Sequence, residues 1–258
     1  MSEAKIVTPK IVTGAVVVIG NEILSGRTKD LNVGYIASGL TAIGVRLAEA
    51  RFIPDVEATI VTTVNELRAK FDYVFTTGGI GPTHDDITAA SISKAFGVPL
   101  ILHPVAEKLL RSHYGPDNIT EARMRMAHTP EGATLIDNPV SVAPGFQIGN
   151  VFVLAGVPRI CQAMFDGLKG ALVGGDRVLS RTVSGYIGEG VIAKDLGALQ
   201  DRYAALEIGS YPFFRQGKFG ASFVIRGTDQ VAIDAAAVEL HTIIKTLGAE
   251  PIEGEPVA

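Results

Sequence analysis

The feature that most constrains the fold is a regular alternation along residues 11–172. Short runs of β-branched residues alternate there with segments whose apolar residues recur about every three or four positions, as on one face of a helix. The first runs are IVTGAVVVI at 11–19, VRLAEARFI at 45–53 and DYVFTT at 72–77. Strands that alternate with helices form βαβ units. The pattern therefore predicts an α/β domain with three layers and a mostly parallel sheet.

The other helices and strands of this domain are predicted from the same two patterns, the helical apolar repeat and the short β-branched run. Helices are predicted at 30–43, 54–71, 86–96 and 158–172, and further strands at 133–137 and 150–156. Residues 97–130 are more polar and predict helical segments at one edge of the domain.

A second, smaller α+β domain is predicted after the break at Gly174-Gly175-Asp176. Its strands are expected at VLSRTVSGY and near 206–211 and 219–226, and its helices around 192–203 and over 229–247. We place the two domains at 10–173 and 176–250. The last residues, EPIEGEPVA, are expected to be frayed.

Composition excludes several classes of protein. Of the 258 residues, 47% are hydrophobic and 19% are charged. This composition is typical of a globular chain and not of a disordered one. The net charge is −4 and the only dense basic spot is Arg123-Met-Arg125, so we expect no nucleic-acid partner. No apolar run reaches the roughly 20 residues that span a bilayer, and the start lacks a signal-peptide core. A cytoplasmic protein without a membrane partner is expected.

The single cysteine, Cys161, excludes an intrachain disulfide and a cysteine-based metal site. It lies in the apolar stretch VPRICQAMF, which favours a buried structural thiol over a nucleophile.

The most informative motif for function is TTGGIGPTHDDIT at 76–88, between a strand and a helix. Glycines let backbone amides approach an anion, and a helix amino end adds partial positive charge, so the loop predicts a phosphate site. It is not a P-loop, and His84 occupies the place of the third glycine of a dinucleotide fingerprint. The alternative is a tight turn in which Asp85 or Asp86 caps the helix.

The adjacent acids Asp85 and Asp86 are expected to have different roles. We expect one of Asp85 and Asp86 to bond the first helix amides and the other to hold a divalent cation that bridges phosphate oxygens. His84 lacks a second metal-ligating neighbour of its kind, so a loop donor or surface residue is favoured over a zinc ligand.

A second polar cluster follows the first strand: Gly20-Asn21-Glu22, Gly26, Asp30 and Asn32. The carboxyl ends of parallel strands meet at one edge of the sheet, so this cluster and the glycine loop are expected to face one ligand. The alternative is that Asp30 caps a helix and Asn21-Glu22 forms a solvated turn. Two later stretches, NPVSVAPG at 138–145 and AGVP at 155–158, are typical of ordinary turns.

Four segments in this order, GNEILSGRTKDLN, TTGGIGPTHDDIT, NPVSVAPGF and LAGVP, resemble the molybdopterin-binding domain of the CinA family. That domain is related to the MoaB/MogA proteins, to one domain of MoeA and to the molybdopterin-binding-like region of eukaryotic FAD synthases. The segments Gly185-Tyr-Ile-Gly-Glu-Gly190 and Ile208-Gly-Ser-Tyr-Pro212 resemble the small α/β domain that follows in CinA-like proteins. The resemblance implies a MoaB/MogA-like fold and association as a dimer or trimer.

The resemblance also implies a set of site residues. Catalytic roles are expected for Asp30, Asp85 and Asp86, with Asp85 and Asp86 as the metal ligands. Ligand-binding roles are expected for Glu22, Asn32, Thr77, Gly78, Gly79, Gly81, Pro82, Thr83 and Thr88. The ligand would be molybdopterin or an adenine nucleotide, with Mg²⁺ or a similar ion.

The departures from the family pattern leave three functions open. Ile80 stands where MoaB/MogA proteins usually have threonine, which favours a nucleotide pyrophosphatase acting on ADP-ribose or FAD over a molybdopterin adenylyltransferase. Asn21 and Arg159 depart from the common pattern and favour a non-catalytic molybdopterin-binding carrier or sensor. The deamidase domain of longer CinA proteins is not expected here.

Overall fold

The computed structural model describes residues 10–215 and 217–256, which form two compact units, Lys10–Gly175 and a second that begins at Asp176. The strands of the first unit are β1 (Val12–Ile19), β2 (Val45–Ile53), β3 (Tyr73–Thr77), β4 (Leu100–Leu102), β5 (His128–Pro130), β6 (Thr134–Ile136), β7 (Gly145–Ile148) and β8 (Val151–Leu154). Its helices are α1 (Asn21–Leu24), α2 (Asn32–Ala42), α3 (Glu57–Lys70), α4 (Thr88–Phe96), α5 (Pro104–Tyr114), α6 (Glu121–Arg125) and α7 (Pro158–Leu168).

Six strands of this unit form one sheet in the order β2-β1-β3-β8-β7-β6. The pairs β2-β1, β1-β3 and β3-β8 are parallel, whereas β7 runs antiparallel to both β8 and β6. The mostly parallel, MoaB/MogA-like fold predicted from the sequence is confirmed. β4 and β5 form a separate antiparallel pair.

Helices cover both faces of the sheet, because each central strand is apolar on both sides. On one face, Val17 of β1 packs in a cluster with Ile60 of α3 and Ile92 of α4. On the other face, Val16 packs in a cluster with Leu40 of α2 and Phe165 of α7. Cys161 lies fully buried in this second cluster, as expected for a structural thiol.

The second unit has its own antiparallel sheet in the order β10-β11-β9-β12. Its elements are β9 (Leu179–Gly185), α8 (Glu189–Arg202), β10 (Glu207–Arg215), β11 (Lys218–Gly227), α9 (Gln230–Thr246) and β12 (Pro251–Glu253). Leu199 of α8 and Leu240 of α9 pack with Phe223 of β11 in one buried core. The predicted smaller α+β domain is thereby confirmed.

The prediction that the final residues are frayed is wrong for 251–256. Pro251–Glu253 is strand β12, which pairs with β9. The carbonyl of Gly254 accepts a hydrogen bond from the Ser184 hydroxyl at 2.6 Å, and its amide donates to the carbonyl of Thr182 at 2.9 Å. Residues 257 and 258 lie outside the described residues.

Across both units, none of the described helices is long and apolar enough to cross a membrane.

Candidate functional site

The glycine loop leaves the carboxyl end of β3 in the middle of the sheet. Gly78 has a φ of 103°, and a Cβ built on it would lie 2.2 Å from the carbonyl oxygen of Ile19 at the end of β1. Its amide donates to the carbonyl of Leu154 at the end of β8, at 3.2 Å. Position 78 therefore requires glycine because the ends of three neighbouring strands converge on it.

A buried threonine fixes the next turn of the loop. The Thr88 hydroxyl donates to the Gly78 carbonyl at 3.0 Å, and the Thr88 amide donates to the Gly79 carbonyl at 3.0 Å. Gly79 has a φ of 69°, and a Cβ there would lie 2.2 Å from the Thr88 hydroxyl oxygen. The first residue of α4 thus holds the loop in place. Thr77, also predicted as a ligand-binding residue, is buried and its hydroxyl has no partner among the described residues.

Three successive backbone amides of the loop are unpaired. Among residues 10–215 and 217–256, the N–H groups of Gly79, Ile80 and Gly81 donate no hydrogen bond, although the Asp86 carboxylate lies beside Gly81. Backbone amides are obligatory donors, and successive free amides form concave sites for anions. The loop therefore presents a set of donors suited to phosphate oxygens.

The two acids of the loop behave differently from the expectation. One oxygen of Asp86 accepts hydrogen bonds from the Thr83 amide at 2.7 Å and from the Thr83 hydroxyl at 2.5 Å. Helix α4 has Ile87 at its N-cap without a side-chain cap, so the expectation that Asp85 or Asp86 bonds the first helix amides is wrong. Asp86 instead closes the turn over Pro82 and Thr83.

The side chain of Asp85 is 63% exposed, and the ring of His84 beside it is 93% exposed. The nearby Thr83 hydroxyl and the Asp85 backbone amide lower the pKa of the Asp85 carboxyl below its usual value. No three His, Cys, Asp or Glu side chains of the described residues lie close enough together to hold a metal ion. The catalytic and metal-binding roles of Asp85 and Asp86 stay predictions.

Two residues of the first polar cluster have local structural partners. The Asp30 carboxylate accepts from the amides of Asn32 at 3.3 Å and Val33 at 3.0 Å, and so caps the start of α2. The Glu22 carboxylate folds back over Gly20, where a Cβ would lie 2.5 Å from its oxygen. These contacts match the alternative interpretation of a cap and a turn.

Asn32 is the member of that cluster that meets the glycine loop. It is 4% exposed, and its side-chain amide donates to the carbonyl of Gly156 at 2.9 Å. A Cβ on Gly156 would in turn lie 3.1 Å from the Cα of Gly78. Asn32 Oδ1 has no partner among the described residues. The strand-one, strand-three and strand-eight loops thus converge through these contacts, as the topology predicted.

The stretch 138–145, taken as ordinary turn chemistry, is built around a buried side chain. Asn138 Oδ1 accepts from the amides of Val140 and Ser141, and its Nδ2 donates to the Ala143 carbonyl at 2.7 Å. Val142 adopts a φ of 67°, which is costly for a β-branched residue. The stretch ends in strand β7, which the sequence pattern did not predict.

A cleft borders the free amides on the α4 side of the sheet. It is lined by Gly79, Ile80, Gly81, Asp86, Ala89, Arg125, Met126, His128, Pro144 and Phe146. Its volume of about 30 Å³ is room for about two water-sized atoms. Sequence reasoning did not assign Arg125 or His128 to the site. The basic spot at 123–125 was the available signal.

Comparison with known proteins shows the family of the chain. Residues 15–173 match the family described as "Probable molybdopterin binding domain". The chain belongs to this molybdopterin-binding family. Residues 177–250 match a second family, "FAD synthase, middle domain".

Relatives place the chain with CinA-like proteins. A protein of Pyrobaculum calidifontis is 40% identical over 161 residues, which cover 60% of this chain and 62% of that protein. A CinA-like protein of Desulfosudis oleivorans is 35% identical over 153 residues, which cover 57% of this chain and 37% of that protein. The match therefore spans less than two thirds of either relative.

Among solved structures, the CinA protein of Thermoplasma acidophilum is 31% identical with a TM-score of 0.59. The match covers 62% of this chain and 98% of that one. The resemblance to the molybdopterin-binding domain of CinA proteins is confirmed.

Proposed function

We propose that the chain binds molybdopterin or an adenine nucleotide through the phosphate group of the ligand, at the glycine loop. The observation that carries the proposal is the set of unpaired amides of Gly79, Ile80 and Gly81, which border a cleft and are held by buried Thr88. The three residues are only partly buried, so their amides are accessible to a ligand, and a phosphate supplies several strong acceptor oxygens for them. The matched family, whose description names molybdopterin, supports the same class of ligand.

The size of the cleft defines which part of the ligand it takes. Because a cleft of about 30 Å³ takes only about two water-sized atoms, phosphate oxygens would enter it and the heterocycle would lie outside. The match of residues 177–250 to the FAD synthase middle domain supports including flavin nucleotides among the ligands tested.

Two ligand pairs that differ only in a phosphate monoester test the proposal: AMP with adenosine, and FMN with riboflavin. We expect the protein to bind at least one phosphorylated member about tenfold or more tightly than its partner, because charge-assisted hydrogen bonds add to its affinity. Titration calorimetry measures the four dissociation constants. Equal affinities within both pairs would overturn the proposal.

A variant at the amino end of α4 locates the phosphate. Ala89 lines the cleft in the first turn of the helix, where a glutamate is compatible with the helix dipole. Ala89→Glu should abolish the preference for the phosphorylated ligand by placing a carboxylate in the cleft. Ala89→Gln, of matched size and without charge, is the control and should retain more of that preference. If Ala89→Glu keeps the full preference, the phosphate binds elsewhere.

As a second candidate function, we propose hydrolysis of the pyrophosphate bond of ADP-ribose or FAD. The supporting observation is that Asp86 lines the same cleft as the free amides, so its carboxylate would face a bound phosphate. Asp85 and Asp86 belong to no described group of three or more metal-ligating side chains, so we assign no step to a divalent cation and treat it as a variable in the assay.

Turnover is tested by incubating the protein with ADP-ribose, FAD or NAD, with and without Mg²⁺, Mn²⁺ or Co²⁺, and measuring AMP. Asp86→Asn keeps an oxygen for Thr83 but removes the charge, so it should abolish turnover and leave the fold intact. Asp72→Asn is a matched control, because Asp72 accepts from the amide and hydroxyl of Thr13 in the same way.

The outcomes separate the candidate functions. Full activity in the Asp86→Asn protein would remove Asp86 from the mechanism. No AMP from any substrate, with binding retained, would favour the carrier or sensor. Adenylylated pterin formed from molybdopterin and ATP would instead identify an adenylyltransferase.

A further inference from the structure

Arg125 is an arginine without a partner beside the glycine loop. It is the last residue of α6, its side chain is exposed, and it lines the cleft together with Gly79 and Gly81. Within the described part of the chain, no hydrogen bond, ion pair or aromatic ring engages its guanidinium. An arginine held near free amides with no carboxylate paired to it leaves its donors available for an anion.

Arg123, two residues earlier, differs from Arg125 because its guanidinium has partners. The Arg123 guanidinium lies 4.2 Å from the centre of the Tyr114 ring and donates to the carbonyl of Asn118. Arg123 therefore secures the α5–α6 connection. Of the two arginines in the basic spot, only Arg125 borders the cleft.

The other polar side chains of the cleft are Asp86 and His128, and neither carries a permanent positive charge. Asp86 is the acid that lines it, yet no salt bridge joins Asp86 to Arg125, and Asp86 is occupied by Thr83. The Nδ1 atom of His128 lies 3.1 Å from the Met124 carbonyl oxygen, which can only accept, so Nδ1 carries the proton. Arg125 is thus the permanent positive charge of the cleft.

We propose that Arg125 binds the phosphate group of the ligand and determines the preference for a phosphate monoester over the dephosphorylated compound. This inference rests on the proposed phosphate site at the glycine loop. The planar guanidinium donates two parallel hydrogen bonds to phosphate oxygens, whereas the loop amides donate from the Gly79–Gly81 side. The positive charge also offsets the repulsion between the phosphate and Asp86.

The experiment measures the ratio of dissociation constants within each pair, AMP with adenosine and FMN with riboflavin, by titration calorimetry. Four proteins are compared: the unaltered chain, Arg125→Gln, Arg125→Lys and the matched control Arg123→Gln. Arg125→Gln should lower the preference for the phosphorylated member about tenfold, with unchanged affinity for adenosine and riboflavin. Arg125→Lys should restore part of it, because the charge returns without the bidentate geometry.

A dependence on salt gives a second readout. Between 50 and 300 mM NaCl, affinity for the phosphorylated ligand should fall less steeply in the Arg125→Gln protein than in the unaltered chain, because one ion pair is missing. Arg123→Gln should keep the original slope and preference, even if it is less stable.

The results distinguish the role of Arg125 from the existence of the phosphate site at the glycine loop. A preference in the unaltered chain that is lost in Ala89→Glu but kept in Arg125→Gln would overturn the role of Arg125 and leave the phosphate site standing. No preference in the unaltered chain would remove the phosphate site itself. Equal losses in Arg125→Gln and Arg123→Gln would mean that α6 acts through its fold, and would also overturn the assignment.

Discussion

Replacing Thr88 with valine tests whether one buried hydroxyl holds the glycine loop. The side chain is fully buried and its hydroxyl donates to the Gly78 carbonyl at 3.0 Å. Valine has nearly the same shape, so the change removes the hydrogen bond without creating a cavity. A buried acceptor that loses its donor costs about 1–3 kcal/mol, and we expect Thr88→Val to lower the free energy of unfolding by that amount.

Urea denaturation followed by far-UV circular dichroism measures this loss, since the chain has no tryptophan. Thr41→Val is the matched control: the exposed Thr41 hydroxyl bonds the Ala37 carbonyl at 2.8 Å within α2, where water replaces the lost partner. We expect the control to lose less than about 0.5 kcal/mol.

Ligand affinity separates the hydrogen bond from general destabilisation. Thr88→Ser keeps the hydroxyl and loses a buried methyl group, at a cost of about 1 kcal/mol. It should retain the preference for AMP over adenosine, or FMN over riboflavin, whereas Thr88→Val should reduce it because the amides of Gly79–Gly81 lose their anchor. If Thr88→Val matches the unaltered chain in both stability and preference, the hydroxyl does not hold the loop.

Three further predictions follow from single residues. Val142→Asn should raise the melting temperature, because asparagine tolerates the left-handed conformation that costs valine about 1–2 kcal/mol; a lower melting temperature would contradict the strain. Arg181, and then His241, lowers the pKa of Glu253, so its stabilising contribution is present above the unfolded value near 4.5 and disappears as pH falls through the lower folded value. Urea midpoints of the Glu253→Gln protein should therefore fall less steeply below pH 4.5 than those of the unaltered chain, and parallel curves would refute the linkage. Burial raises the pKa of the Cys161 thiol to about 12, so a disulfide reagent should not react at pH 8 until urea unfolds the protein; rapid reaction of the native protein would show an accessible thiol.

Long strands with their own apolar signal were predicted well from the sequence. The bounds of β2 at Val45–Ile53 match the predicted run, and β1 and β3 differ from their predictions by one residue at the start. Each of these strands is long enough to carry its period locally; β1 and β3 are buried inside the sheet, and β2 lies at its edge.

Two short strands, β7 and β12, were missed because the pairing that stabilises them is not visible in their own residues. β7 has four residues and forms a hairpin with the next strand, β8, through Gly149 and Asn150, and β12 has three residues. β12 pairs with β9, about seventy residues earlier in the chain. Glycine and proline in and around both segments indicated turns or a frayed end, whereas strand pairing decided the outcome.

Only part of the site was predicted, because only some of its residues belong to a local sequence motif. The glycine loop has a local signature, and its meeting with Asn32 follows from the topology of parallel strands. The role of Asp30 depends on which amides its carboxylate reaches, and the sequence left both a cap and a catalytic role open. Arg125 comes from the polar stretch 97–130, whose path back to the loop is not encoded in any local period.

The pairing of β12 with β9 also bears on how the second unit avoids aggregation. β9 lies between β11, which pairs along its whole length, and the short β12, which pairs with Val183, Ser184 and Gly185 on the other side. Without residues 251–253, the half of β9 that ends at Gly185 would present unpaired amides and carbonyls to solvent. Three residues at the end of the described chain therefore protect this unit from edge-to-edge association.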